Sequence, residues 1–149
     1  MSILEFCRRD VAIVEKNSTV VEAARKMREL HVGDVVVCEK SDGRFKPIGL
    51  LTDRDIVVGV VAMEIPLDAV RVEDVMVPTL VTAPVDTDVA EAVRLMETYG
   101  IRRLPVVDEK GSLAGIVTST DLMEFFGEEL LALSRLPARQ REKEQEIRV

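Results

Sequence analysis

A chain of 149 residues, 47% hydrophobic and 32% charged, has enough apolar material for one domain core or two small half-domains. Its net charge of −7 repels nucleic-acid polymers over most of the surface, and 3% aromatics leave few rings on which to stack the bases of single strands. No apolar run is long enough to cross a bilayer, the N-terminus lacks the basic-then-apolar pattern of a signal peptide, and Cys7 and Cys38, without metal-ligand spacing, read as free thiols of a cytoplasmic protein.

The chain repeats itself. Glu22-Ala23-Ala24-Arg25-Lys26-Met27 returns 69 residues later as Glu91-Ala92-Val93-Arg94-Leu95-Met96. The same offset aligns Ile3-Leu4-Glu5-Phe6-Cys7 with Val72-Glu73-Asp74-Val75-Met76. Further on it falls to 66, so the first copy holds three extra residues around Ser41 to Pro47, a turn-rich stretch that reads as a surface hairpin.

Each copy opens on a short turn and a small apolar segment, Val11 to Val14 or Leu80 to Ala83. A helix follows. Thr19 with Glu22, and Asp88 with Glu91, have the spacing of a cap and its partner three residues on. Val20, Ala23, Ala24, Met27 and Leu30 form one helical stripe; Val89, Ala92, Val93, Met96 and Tyr99 form its twin. Met27 and Met96 at that spacing read as core filler rather than as a soft-metal surface. His31, the single histidine, stands at the end of the first helix and reads as a surface or cap residue.

Two strands follow, expected to form a hairpin: Val35 to Cys38 with Ile48 to Leu51, and Leu104 to Val107 with Leu113 to Val117. Pro105 lacks an N–H, which places its strand at an edge or next to an irregularity. Each copy closes on the same pattern, Gly49-Leu50-Leu51-Thr52-Asp53-Arg54-Asp55 and Gly115-Ile116-Val117-Thr118-Ser119-Thr120-Asp121. This is a buried strand ending in a hydroxyl, then a carboxylate that opens a helix. A hydroxyl and a carboxylate held there suit the paired hydroxyls of a ribose; an aspartate at a helix start also serves simply as a cap. Residues 63–70, around Pro66, read as the linker. Beyond residue 128, apolar Leu130 to Leu136 gives way to a polar end. Residues 129–149 are expected to form a helical tail that starts ordered and ends mobile, with Pro137 breaking the pattern.

Two repeats in this order, each closed by Gly-h-h-Thr-x-x-Asp (h, aliphatic), with Ile101-Arg102-Arg103-Leu104-Pro105-Val106-Val107-Asp108 in the second, resemble the cystathionine-β-synthase (CBS) domain pair, or Bateman module. The resemblance covers about residues 2 to 128 and implies an α+β fold. Two βαββα units, residues 2–62 and 71–128, would pack with pseudo-two-fold symmetry, as a stand-alone CBS pair. It further implies a homodimer, a regulated partner protein, and an adenine nucleotide (AMP, ADP or ATP) or other adenosyl ligand in the clefts between repeats. No obligatory cofactor is implied, nor a nucleic-acid polymer or membrane partner.

Carried over by position, Thr118 and Asp121, and likewise Thr52 and Asp55, match the ribose-contacting hydroxyl and carboxylate. Arg102 and Arg103 sit where the family supplies a cation to phosphate; two adjacent arginines before a strand would point to opposite faces, so that only one reaches the cleft, and ordinary surface charge is the other reading. Segments at Ala12 to Val14 and Val81 to Ala83 match the lining of the adenine, placing Val14 and Ala83 there through backbone groups. In the first copy Gly33 and Asp34 replace the two arginines, so phosphate would be repelled there, with Arg54 as a possible substitute cation. The second site is therefore expected to bind more tightly. Asp53 and Asp55 offer a carboxylate pair for Mg²⁺ carried by a polyphosphate.

Other classes of function have less support. Catalysis needs a nucleophile, base and orienting group or a metal cage, and none is evident. The alternatives to a ligand sensor are a non-catalytic adaptor with empty clefts and, further off, a nucleotide-hydrolysing enzyme.

Overall fold

Val35, Val36, Val37 and Cys38 are all fully buried, and this continuous run makes the first sheet an interior layer. In the computed structural model, which describes residues 1–78 and 80–148, β1 (Ile13–Glu15) pairs parallel with β2 (Asp34–Ser41), and β2 pairs antiparallel with β3 (Arg44–Thr52). Helix α1 (Val20–Leu30) makes the crossover between β1 and β2. After β3 come α2 (Asp53–Ile56), continued by a π-helical turn at Val57–Val61, and then α3 (Val72–Val75). The second half repeats the plan with β4 (Ala83–Pro84), α4 (Val89–Tyr99), β5 (Arg103–Val107), β6 (Leu113–Thr118) and α5 (Ser119–Ser134), in sheet order β4-β5-β6. The α+β repeat architecture expected from the sequence is present.

Side chains alternate across β2. Val35 and Val37 join Ala23, Met27, Leu51 and Ile56 in a core beneath the helices. Val36 and Cys38 turn the other way and meet Ile116, with Leu50 and Leu113 packed around them. The two sheets therefore bury their inner faces against each other, as neither half could do alone.

The halves also exchange their leading segments. Ile3, fully buried, lies in the second half's core with Ala83, Ala92, Leu104 and Val117. Val72, also fully buried, lies in the first half's core with Ala12, Val35 and Leu51. Each is tied by equivalent hydrogen bonds: the Ile3 amide donates to the Thr87 carbonyl at 2.9 Å and the Val72 amide to the Ser18 carbonyl at 2.8 Å. Burying such a side chain is worth about 1.5–3 kcal/mol, so the exchange fastens one repeat to the other.

The same crossing explains the glycine of each closing motif. Arg8 bridges to Ile116 on β6, and Val77 bridges to Leu50 on β3. A Cβ on Gly115 would stand 2.7 Å from the Arg8 carbonyl, and one on Gly49 3.1 Å from the Val77 carbonyl. Only glycine lets the crossing backbone approach this closely.

Two local expectations need correction. Helices α2 and α5 are capped by Thr52 and Thr118, not by Asp55 and Asp121, because the β-branched hydroxyl at the strand end already reaches the helix amides. Thr19 and Glu22 form the full reciprocal box, but Glu91 leaves its cap Asp88 and pairs with Arg94 at 2.6 Å. Pro105 lies in the central strand of its sheet, beside the expected irregularity: the β5–β6 register shifts between Val106 and Val107. It is tolerated there because β4 pairs only with Val106 and Val107, and its β6 neighbour Ile116 exchanges hydrogen bonds with Arg8 instead. The break expected at Pro137 falls at Arg135, between α5 and α6 (Leu136–Ile147); Pro137 sits in the first turn of α6, where proline fits, and α6 is exposed along its length. Val149 lies outside the described residues.

The three extra residues of the first repeat lengthen its hairpin. Asp42 and Gly43, with φ of 50° and 74°, make a two-residue turn between β2 and β3.

Candidate functional site

The strand register brings the two closing motifs together. Thr52, the last residue of β3, pairs across β2 with Asp34; Thr118, the last of β6, pairs across β5 with Arg103. Asp34 and Arg103 are equivalent positions of the two repeats, and Arg103 Nε donates to Asp34 Oδ2. This one ion pair thus sits between the two Thr/Asp boxes. Its side chains are 19% and 33% exposed, so solvent screens it only in part.

Each box is closed by reciprocal bonds. In the second, the Thr118 amide and hydroxyl donate to Asp121 Oδ2 at 2.8 and 2.6 Å, and the Asp121 amide donates back to Thr118 Oγ1 at 3.2 Å. In the first, the Thr52 amide donates to Asp55 Oδ2 at 2.9 Å and the Asp55 amide to Thr52 Oγ1 at 3.1 Å. The boxes differ in one partner. Arg8 Nε donates to Asp121 Oδ1 at 2.8 Å, and its Nη2 donates to the same oxygen. At the first box the position of Arg8 is taken by Val77, and among the described residues Asp55 makes no ion pair. Burial alone would raise the Asp121 carboxyl, but bonds from Thr118 and the Arg8 charge outweigh it and hold the group below its ordinary value.

Two cavities adjoin the ion pair. One of about 300 Å³ is lined by Arg8, His31, Val32, Gly33, Asp34, Arg102, Arg103 and the Thr118 to Thr120 turn. The other, about 140 Å³, is more apolar, with Leu50, Val77, Leu80, Val81 and Ile101 below Arg102 and Arg103. Both arginines therefore reach the cleft, and both line both cavities, contrary to the opposite-face expectation; Arg102 lies before β5, where strand alternation does not apply. The expected ranking of the sites loses its basis too, because Asp34 lies beside Arg103 in the second motif's cavity and does not belong to the first site alone.

Of the segment expected to line the adenine, Val81 lines the apolar cavity together with Leu80. The side chains of Val14 and Ala83 belong to the cores of the first and second halves, which leaves only their backbone groups for a ligand, as expected. Arg54 is exposed on α2 and lines neither cavity. Asp53 Oδ1 accepts from the Arg54 amide and Asp55 Oδ2 from the Thr52 amide, so each carboxylate has one oxygen engaged in holding the helix start. His31 caps α1 in the left-handed conformation, φ 54°, and its edge reaches the larger cavity. Sequence reasoning missed Arg8. Its signal was present, an arginine where the aligned second-repeat position has Val77, but nothing local tied it to a motif 113 residues away.

Among the described residues no helix is long and apolar enough to cross a membrane, and no cluster of three metal-ligating side chains occurs.

Two βαββα units that exchange leading segments and close on paired Thr/Asp boxes define a pseudo-symmetric domain pair. The chain belongs to the CBS domain family, which matches residues 3–62 and 72–128. It is 44% identical over 124 residues to an uncharacterized protein of Methanopyrus kandleri, a match covering 83% of this chain and 62% of that one. The relative is thus longer than the shared part. An uncharacterized conserved protein from Pyrococcus horikoshii has a similar crystal structure, with TM-score 0.71 and 33% identity over 83% of this chain and 89% of that one. A CBS domain pair solved in complex with 5′-methylthioadenosine and S-adenosyl-L-methionine shares the fold, with TM-score 0.75 and 24% identity over 87% and 98% of the two chains.

Proposed function

We propose that this protein is a ligand-sensing regulatory module that binds an adenine nucleotide, AMP, ADP or ATP, or a related adenosyl compound, and signals its occupancy to a partner protein. The observation that carries the reading is the cleft lined by Arg8, Arg102, Arg103 and Thr118, whose Arg103–Asp34 pair stands in register with Thr118 of one Thr/Asp box and Thr52 of the other. The aspartates accept hydrogen bonds from ribose hydroxyls. The wall of Leu80, Val81 and Ile101 suits a flat base. The arginines supply charge-assisted bonds to phosphate, each worth about 1.5–3 kcal/mol. The adenosyl ligands of the structurally similar CBS pair support the ligand class. The reading contains no turnover step, and magnesium enters it only as the counter-ion of a polyphosphate ligand.

The proposed assembly is a homodimer through the helices. Val57, Val58, Val61, Met123 and Phe126 are each about half exposed. Val57 lines one groove with Ala24, Met27 and Ile56, and Met123 and Phe126 line a matching one with Val93, Met96 and Leu122. Two like apolar faces related by a pseudo-two-fold suit a second copy of the chain.

Titration calorimetry with adenosine, AMP, ADP and ATP, with chromatography of the nucleotide afterwards, tests the function. Saturable binding without turnover is the expected result. Absence of binding to all four would favour the adaptor, and hydrolysis the enzyme.

A further inference from the structure

If the Thr118/Asp121 box is a ribose site, as proposed above, its carboxylate is already engaged. Oδ2 takes the amide and hydroxyl of Thr118, and Oδ1 takes two guanidinium donors of Arg8. The Asp121 side chain is 11% exposed, so little of it remains for water or ligand. A ribose hydroxyl that reaches Oδ1 must displace Arg8.

When Arg8 is displaced its backbone stays in place at the cavity wall. Its amide donates to the Ile116 carbonyl and its carbonyl accepts from the Ile116 amide, both at 3.0 Å. The segment before it is anchored by Ile3 and Phe6 in the second half's core. Only the side chain, 57% exposed, can swing, toward water or along a cavity that already holds Arg102 and the Arg103–Asp34 pair. A neutral nucleoside would break the Arg8–Asp121 pair and give the freed cation only water in return. A ligand carrying its own anion gives that cation a new partner. The first box has no such demand, because Val77 occupies the position of Arg8 there.

We infer that Arg8 is a specificity-determining residue that makes the second site selective for anionic adenosyl ligands, while the first site accepts neutral ones. The two boxes, alike in their ribose acceptors, differ in the ligand charge they admit.

The test follows each site separately through the amide resonances of Thr118 and Thr52 while adenosine or AMP is titrated. In the unaltered chain the Thr118 signal should respond to AMP at least about tenfold more tightly than to adenosine, the effect of one charged hydrogen bond. Arg8→Met, which keeps an apolar stem and removes the charge, should narrow that ratio by tightening adenosine at Thr118, with Thr52 unaffected. Arg8→Lys should keep much of the preference, and the dispersion of each spectrum reports whether the variant is folded. Binding with the same AMP-to-adenosine ratio at Thr118 in folded Arg8→Met and the unaltered chain would overturn this inference alone. Silence of both amides toward both probes would overturn the nucleoside reading of the boxes and this inference with it.

Discussion

Asp34 and Arg103, equivalent residues of the two repeats, form an ion pair with each other, so the pseudo-two-fold passes between them. The pair lies in register with Thr52 on one side and Thr118 on the other. A charge change at either residue is therefore felt by both boxes. Asp34→Asn releases Arg103 for phosphate, and AMP affinity should rise about tenfold or more while adenosine changes little. Calorimetry with both ligands checks this; an equal gain for adenosine would show that Asp34 acts other than through phosphate.

The glycines of the closing motifs should differ in tolerance. Gly115→Ala brings a Cβ within 2.7 Å of the Arg8 carbonyl, a backbone atom pinned to β6. Gly49→Ala meets the flexible end of Met76 first and the Val77 carbonyl at 3.1 Å. Overpacking of this kind costs about 1–3 kcal/mol, with Gly115→Ala expected at or above the upper end and Gly49→Ala nearer the lower. Thermal denaturation of the two variants measures the order.

Asp121 links stability to pH. Its carboxyl is held below the ordinary 3.8 in the folded chain, burial being outweighed by Thr118 and Arg8. A depressed folded pKa gives stability that is present above the unfolded value and lost as pH falls through the folded one. The thermal midpoint should therefore drop as pH is lowered from about 5 to 3, and Asp121→Asn should flatten part of that drop while lowering the midpoint at pH 7. Parallel curves for the two proteins would remove Asp121 from the acid response.

The helical faces should control assembly. Phe126→Glu and Val57→Glu place charge on exposed apolar positions that pack no core of their own chain. If those faces join two copies, light scattering should fall from a dimer mass to a monomer mass with the thermal unfolding of each subunit retained. A dimer that survives both substitutions would place the contact elsewhere.

The thiols should be slow to react. Burial pushes Cys38 up to about 12 and is the main reason Cys7 is pushed up to about 11, with the nearby Arg9 opposing and Asp121 adding to the rise. Alkylation at pH 8 should be slow in the folded chain and fast after denaturation, with Cys7 the faster of the two because it is partly exposed.

The sequence by itself determined the repeat, the element order and the two Thr/Asp boxes. These rest on local physics: alternation along strands, apolar spacing along helices, and caps three residues apart, all of which act over one or two turns. Thr52 with Asp55 and Thr118 with Asp121 were legible for that reason, though the hydroxyl rather than the carboxylate proved to be the cap. Tertiary structure alone decided which residues meet across the repeats. Arg8 reaches Asp121, 113 residues away, and Arg103 reaches Asp34, 69 away, because the leading segments cross between halves and lay Arg8 on β6 and Val77 on β3. No local rule encodes a crossing, and charges aligned by sequence as a contrast between two sites became partners in one cleft.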